Sequence, residues 1–375
     1  MANRMHVPFV SPARLYAELK PELDAAYFEV MSNGDLVDRG QLRSFETNLA
    51  LFVGTKYAVG LNSGYDALHL SLRAAGIGPG DEVIVPAHTF VATCSAVVNV
   101  GATPVLVDVT DDFNIDVDAA ARAITSRTKA LLPVHLSGWM ADMPRLMELA
   151  EAHGLVVVED ACQSLGSSIN GRAAGAWGTT GCWSFYPFKM LGAYGDGGAI
   201  TTDDEEVATF IRRMRYNGEA RESGEYHGHG FTAILDNLQA AFLDVKLRYL
   251  PKWIERRKQL AARYFQGLQD LEGLMLPHYG RPGFDHVYQN YTVRSRAGDA
   301  FSNFLKSRGI EVLTQFRKPY YRHAGLKLTA TGFPVTEILS REVCSLPMAV
   351  ELRDDEHEYV IETVRAFHSE HRTSV

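Results

Sequence analysis

The chain has 375 residues, 46% of them hydrophobic and 22% charged, and a formal net charge of −8. This is ordinary globular composition, long enough for two domains with a sizeable core. The acidic surplus, with no basic block to offset it, argues against a nucleic-acid binder.

Residues 1–10 carry no apolar signal region and no small-residue cleavage pattern, and no apolar run of about 18 residues occurs anywhere. A cytoplasmic protein without a membrane span is expected. Residues 58–61 form a short apolar strand ending in Asn62-Ser63-Gly64. Segment 66–75 places Ala67, Leu68, Leu70 and Leu72 at helical spacing. A turn cluster over 76–81 precedes a strand at 82–85, and further strands follow at 104–109 and 130–135. The pattern at 143–153 predicts a helix ended by Gly154. The apolar run 155–158 predicts a strand stopped by Glu159-Asp160. This alternation predicts an α/β domain with a mostly parallel sheet covered on both faces.

From about Arg248 the texture changes. A long amphipathic helix over 253–268 leads to a strand at 286–295 and helices at 300–308 and 354–368. The chain therefore divides into a large domain, 1–248, and a smaller α/β domain, 249–375, with the long helix as connector. Arg256-Arg257-Lys258 on that helix reads as a solvated face. Cys94, Cys162, Cys182 and Cys344 lack CxxC spacing and sit among small or apolar residues, as buried free thiols of a reducing compartment do.

In open α/β sheets, ligands bind beyond the carboxyl ends of the strands. Three features fall there. The turn at Asn62-Ser63-Gly64-Tyr65-Asp66 opens a helix, whose free N–H groups suit a phosphate. An ordinary cap by Ser63 or Asp66 is the commoner explanation of such a turn taken alone. Asp160, with Gln163, follows a buried strand and needs a partner, either a protonated ring nitrogen or a structural cap or ion pair. Lys189 is embedded in CWSFYPFKMLG (182–192). Desolvation there favours the neutral amine that imine formation requires, whereas a lysine snorkelling to water fits the same pattern. The Gly-rich run 192–198 lacks the setting of a dinucleotide loop. His227-x-His229 lacks further ligands at metal spacing and reads as a loop pair. His88 and His135, near strand ends, either line a pocket or pack.

Together these segments resemble the sugar aminotransferases of the DegT/DnrJ/EryC1/StrS type. The resemblance runs in order through NSGYDALHLSL (62–72), GDEVIVPAHTFVATCSAV (80–97), GATPVLVDV (101–109), PVHLSGWMADM (133–143), VVVEDACQSLGS (156–167), SFYPFKMLGAYGDGGAITT (184–202), LDNLQAA (235–241) and FPVTEILSREVCSLPM (333–348). It implies the aspartate aminotransferase fold type, with a mostly parallel seven-stranded sheet flanked by helices and a smaller C-terminal α/β domain. It also implies pyridoxal 5′-phosphate (PLP) as cofactor.

By that resemblance Lys189 forms the Schiff base with PLP and shuttles the proton. Asp160 keeps the ring nitrogen protonated, Phe90 stacks on the ring and Gln163 bonds its phenolic oxygen. Gly64, Tyr65 and Ser184 hold the phosphate. The substrates implied are L-glutamate and a nucleotide-linked keto-deoxysugar, in a homodimer with active sites at the subunit interface. Two residues depart from the family pattern. Tyr65 stands where a small residue or Thr is usual. Thr232 replaces an asparagine that reaches the neighbouring subunit's phosphate, so its hydroxyl substitutes or that contact is lost. A cyclitol or aminobenzoate-precursor aminotransferase is the nearest alternative, to be decided by segments 34–43 and 315–326. A PLP-dependent sugar 3-dehydratase is disfavoured, because that branch has histidine in place of Lys189. A non-catalytic PLP-binding regulator is the alternative from another class.

Overall fold

The computed structural model describes residues 5–328 and 330–371. Its centre is a seven-stranded sheet built from β1 (Tyr57–Leu61), β2 (Glu82–Pro86), β3 (Thr103–Val107), β4 (Thr128–Leu131), β5 (Val156–Asp160), β6 (Thr180–Ser184) and β7 (Gly198–Thr202). The order is β1-β7-β6-β5-β4-β2-β3, and only β7 runs against its neighbours. The expected mostly parallel seven-stranded sheet is therefore present.

Both faces are apolar, so side chains that alternate along one strand enter different cores. Leu131 and Val157 join one cluster with Trp183 and Phe185. Ala130 and Val158 join another with Leu61, Val85 and Ile200. Helices α1 (Pro12–Asn33), α2 (Gly40–Val53), α3 (Gly64–Ala74), α4 (Val91–Asn99), α5 (Val117–Ala123), α6 (Met143–His153), α7 (Glu205–Met214) and α8 (Asn237–Leu247) surround this sheet. The expected helix 143–153 matches α6, stopped by Gly154 in the left-handed conformation at φ 63°.

The sequence carried little signal for α1 and α2. Pro21 lies inside α1 and reads as a breaker, and α2 starts at Gly40 without a capping side chain. After α8 come α9 (Leu250–Leu268), α10 (Asp299–Ser307), α11 (Pro334–Glu342) and α12 (Asp354–Glu370). A small antiparallel sheet joins β8 (Leu274–Met275), β9 (Tyr291–Ser295) and β10 (Val343–Leu346), in the order β8-β9-β10. A third core, with Leu260, Tyr264, Val293, Phe301, Leu346 and Phe367, binds these elements and takes in Val7 from the N-terminal segment.

Several expectations need correction: the strand expected over 130–135 ends at Leu131, and Cys162, expected to be buried, is only partly so. The strand expected over 286–295 begins only at Tyr291, because Tyr288 adopts φ 50°, which a strand does not accommodate. β5 is not stopped by Glu159-Asp160 but includes both, since each carboxylate finds donors. Arg257 is not on a solvated face. It falls on the α9 stripe of Trp253, Leu260 and Tyr264 and is 6% exposed. One guanidinium nitrogen, Nη1, donates to the carbonyls of Tyr288, Gln289 and Met348 at 3.1, 3.2 and 2.8 Å.

All four cysteines are free. Among the described residues no helix is long and apolar enough to cross a membrane.

Candidate active site

The carboxyl ends of β1, β2, β5 and β6 lie along one edge of the sheet. β1 passes through Asn62 and Ser63 into α3. Ser63 caps that helix, its hydroxyl accepting from the Asp66 N–H at 3.1 Å. The cap leaves the first-turn N–H groups of Gly64 and Tyr65 without intrahelical acceptors. The capping and anion-binding readings of this turn are therefore compatible.

What brings the turn to β6 is missing bulk. Leu61, Gly198 and Ser184 lie in one row across β1, β7 and β6. A Cβ on Gly198 would stand 2.3 Å from the Ser63 carbonyl carbon. A Cβ on Gly64 would stand 2.7 Å from Ser184 Cβ and 2.9 Å from Cys162 Sγ. Glycine at both positions lets the α3 N-terminus close on Ser184. Tyr65 turns its ring along α3, stacked on His69 with centroids 6.0 Å apart, and its hydroxyl accepts from Asn99 Nδ2 at 2.5 Å.

Asp160 ends β5 and is buried. One carboxylate oxygen accepts from Thr93 Oγ1 at 2.8 Å and the other from the Cys162 N–H at 3.3 Å. Thr93 lies in the first turn of α4, and its N–H bonds the Phe90 carbonyl. Phe90, at the head of that helix, is 57% exposed, a large ring left uncovered beside a buried carboxylate. Gln163 Oε1 accepts from the Ser137 N–H at 2.8 Å, which commits the oxygen and turns the amide NH2 the other way. Ser137 itself holds φ 59°.

Lys189 follows β6 on a short loop. The residue is half-buried by area, but protein crowds its amine. Desolvation pulls the pKa below the usual lysine range, while Cys162 and Asp160 oppose that shift. Gln163 and Lys189 share a cavity of about 770 Å³ with Tyr186, Phe188, Gln289 and Asn290. Asp160, Gly64, Phe90 and Ser184 lie outside its wall.

Thr232 sits on an exposed loop, its hydroxyl donating to Asn217 Oδ1 at 3.2 Å, so that group is already engaged within the chain. The loop still runs beside the anion-competent turn, because Asn62 N–H bonds the Ala233 carbonyl. His135 is packed: Nε2 bonds Glu159 at 3.0 Å and Nδ1 accepts from the Ala141 N–H. His88 is packed between Phe113 and Phe316, and burial lowers its pKa to about 4. His227 and His229 are exposed on the loop before Thr232.

A crowded amine, a buried carboxylate with spare acceptor capacity, and a helix N-terminus closed on a serine stand on one sheet edge. Residues 18–365 match the DegT/DnrJ/EryC1/StrS aminotransferase family. The chain belongs to this family.

One relative, the dTDP-3-amino-3,4,6-trideoxy-alpha-D-glucose transaminase of Streptomyces venezuelae, is 43% identical over 368 residues, covering 97% of each chain. A protein of Geobacillus stearothermophilus named pleiotropic regulatory protein is 39% identical over 369 residues, covering 97% of this chain and 99% of its own. The crystal structure of DesV from S. venezuelae superposes with a TM-score of 0.94 at 42% identity, covering 97% of this chain and 98% of that one. The chain is thus an aminotransferase of the PLP-dependent fold, and PLP is its cofactor.

The residues present fit that group. An amine of lowered pKa suits an aldehyde, the α3 N-terminus with Ser184 suits a phosphate, and Asp160 suits a ring nitrogen. Sequence reasoning missed Thr93, Ser137 and Gln289. Each touches the site through a contact across more than 25 positions, which no local pattern encodes.

Proposed function

We propose that this aminotransferase carries the amino group of L-glutamate to a nucleotide-linked keto-deoxysugar, at C3, with Lys189 as the reacting lysine. The observation that carries the assignment is the crowded Lys189 amine within the field of Asp160. The substrate class follows the named S. venezuelae relative.

PLP, when bound, supplies an electron sink for the carbon that loses its proton. The chain does the rest. Lys189 Nζ would hold the cofactor and serve as general base and acid for the proton. The Asp160 carboxylate would keep a proton on the ring nitrogen. Gln163, its oxygen held by Ser137, would have an N–H free for the ring's phenolic oxygen. Phe90 would cover the ring face. The N–H groups of Gly64 and Tyr65 and the Ser184 hydroxyl would receive the phosphate.

The same reading makes the protein a cytoplasmic homodimer with active sites at the interface. Tyr27, Phe28, Met31, Leu36, Val37 and Leu51, exposed on α1, α2 and their connection, support a covered surface there. Thr232 lies on a loop suited to reach the neighbour's phosphate. Domains 1–248 and 249–375 belong to this reading too, supported by the separate core around α9, α10 and α12.

A panel of nucleotide keto-sugars incubated with glutamate and the PLP-loaded protein tests the function. Mass spectrometry should find an amino-sugar nucleotide for one member. Conversion of a free cyclitol alone would move the assignment to that branch. No conversion of any keto substrate, with PLP bound, would favour the regulatory reading suggested by the G. stearothermophilus relative.

A further inference from the structure

The loop that carries Lys189 is held unevenly. Downstream of the lysine, Met190, Leu191 and Ala193 are buried in the main core. Upstream, Tyr186 and Phe188 are exposed and pack edge-to-face on each other, ring centres 5.5 Å apart. Beneath the loop lies a cavity of about 270 Å³, bordered by Pro187, Lys189, Gly192, Lys246 and Arg257. This cleft is open to solvent, so apolar packing does not fix the height of the loop on this side.

Polar contacts hold the loop on both flanks. From α8, Lys246 Nζ donates to the Gly192 carbonyl at 2.6 Å and sits 3.6 Å from the centre of the Tyr194 ring. Gly192 in turn presses on the loop's own start: a Cβ there would lie 2.3 Å from the Pro187 carbonyl oxygen. A displacement at Gly192 is therefore passed directly to Pro187, two residues before the lysine. On the other flank, Gln289 Nε2 donates to the Phe188 carbonyl at 2.8 Å, and the Gln289 carbonyl is gripped by Arg257 of α9.

Lys246 is a conspicuous choice for this task. It is 3% exposed, and burial lowers its pKa to about 8. Among the described residues no carboxylate forms an ion pair with it. The other charged groups bordering the cavity are Arg257, Lys189 and Glu351, and Glu351 accepts from the Ser11 N–H at 2.5 Å. A lysine kept only to fill space would be better replaced by an apolar residue of the same length.

We propose that Lys246 and Gln289 are positioning residues that clamp the Lys189 loop from its two flanks and so set where the Lys189 amine stands relative to Asp160 and Cys162. This rests on the reading of Lys189 as the reacting lysine.

The test uses the full chain loaded with PLP. Borohydride reduction and peptide mapping of the wild type should find the cofactor on Lys189. In Lys246→Met, the cofactor should still map to Lys189 and the melting temperature should not fall, because a buried charge has been removed. The pH midpoint of the cofactor's visible absorption should move by at least about half a unit, since the amine sees a changed field. The kcat should fall at least about tenfold with little change in KM, as expected for a misplaced reacting group. Lys246→Arg, which keeps a charged donor, should recover part of both. Gln289→Met should shift the midpoint too, and it decides the matter if Lys246→Met does not fold.

Wild-type midpoint and kcat in both methionine variants would overturn the proposal. A wild-type label on some other lysine would overturn the Lys189 assignment instead.

Discussion

Glu159 and Asp160 are consecutive residues at the end of β5, and they face opposite sides of the sheet. Both are buried. Glu159 is closed off: His135 Nε2 and the N–H groups of Gly175, Trp177 and Gly178 converge on it at 3.0, 2.9, 2.7 and 2.7 Å. Asp160 has two donors, from Thr93 and Cys162, against roughly four acceptor positions on a carboxylate. Burial does not tell these two carboxylates apart. The shortage of donors does, because a carboxylate short of partners is ready for a ligand that brings a proton.

The sharpest break of this contrast lies on the open side. Lys189→Ala should lower turnover by about 10⁴-fold or more and abolish the visible absorption of the bound cofactor, with the melting temperature little changed. A variant that stays yellow would sink the role given to Lys189.

The neighbouring carboxylates should then separate cleanly. Asp160→Asn should cost about 10³-fold in kcat and little stability, since an amide still accepts from Thr93. Glu159→Ala should do the reverse. Four donors, two of them buried and two part-buried, lose their acceptor, so urea unfolding should show a loss of about 3 kcal/mol or more, with kcat per folded molecule nearly kept. Equal losses of stability in the two variants would erase the distinction.

Acid should sharpen the packed side. The pKa of His88 is held at about 4 by burial. Unfolded chain takes up a proton near 6.5 that the native state refuses. Its contribution is therefore complete above pH 6.5 and is lost as pH falls towards 4. At pH 4.5 the wild type should lose about 2–3 kcal/mol through this residue, a part of the acid sensitivity that His88→Leu should lack in paired urea melts. Least of all, Phe90→Ala should weaken PLP binding about fivefold, the worth of about 1 kcal/mol of ring contact.

Much of the sheet was legible because its strands are short apolar runs between turn residues, and Gly154 marked the end of α6 where it falls. Asp160, Gln163 and Lys189 were legible as candidates because Asp160 ends a strand and the other two follow strands. Other parts were hidden for physical reasons. Arg257 looked like surface because a charged triplet suggests water, yet its spacing from Trp253 and Leu260 puts it on the apolar stripe. Glu159 and Asp160 looked like a strand terminator, although alternation alone assigns them to opposite faces. Thr93, Ser137 and Gln289 act across long stretches of chain, and only folding brings them to their partners.

The tight fit at Gly198 bears on how this protein can change. A single added methyl at that position would act as a wedge between β7 and the turn that opens α3, so even alanine is closed to it. Sequence change around this corner must therefore fall at positions other than Gly198, or move the α3 turn itself.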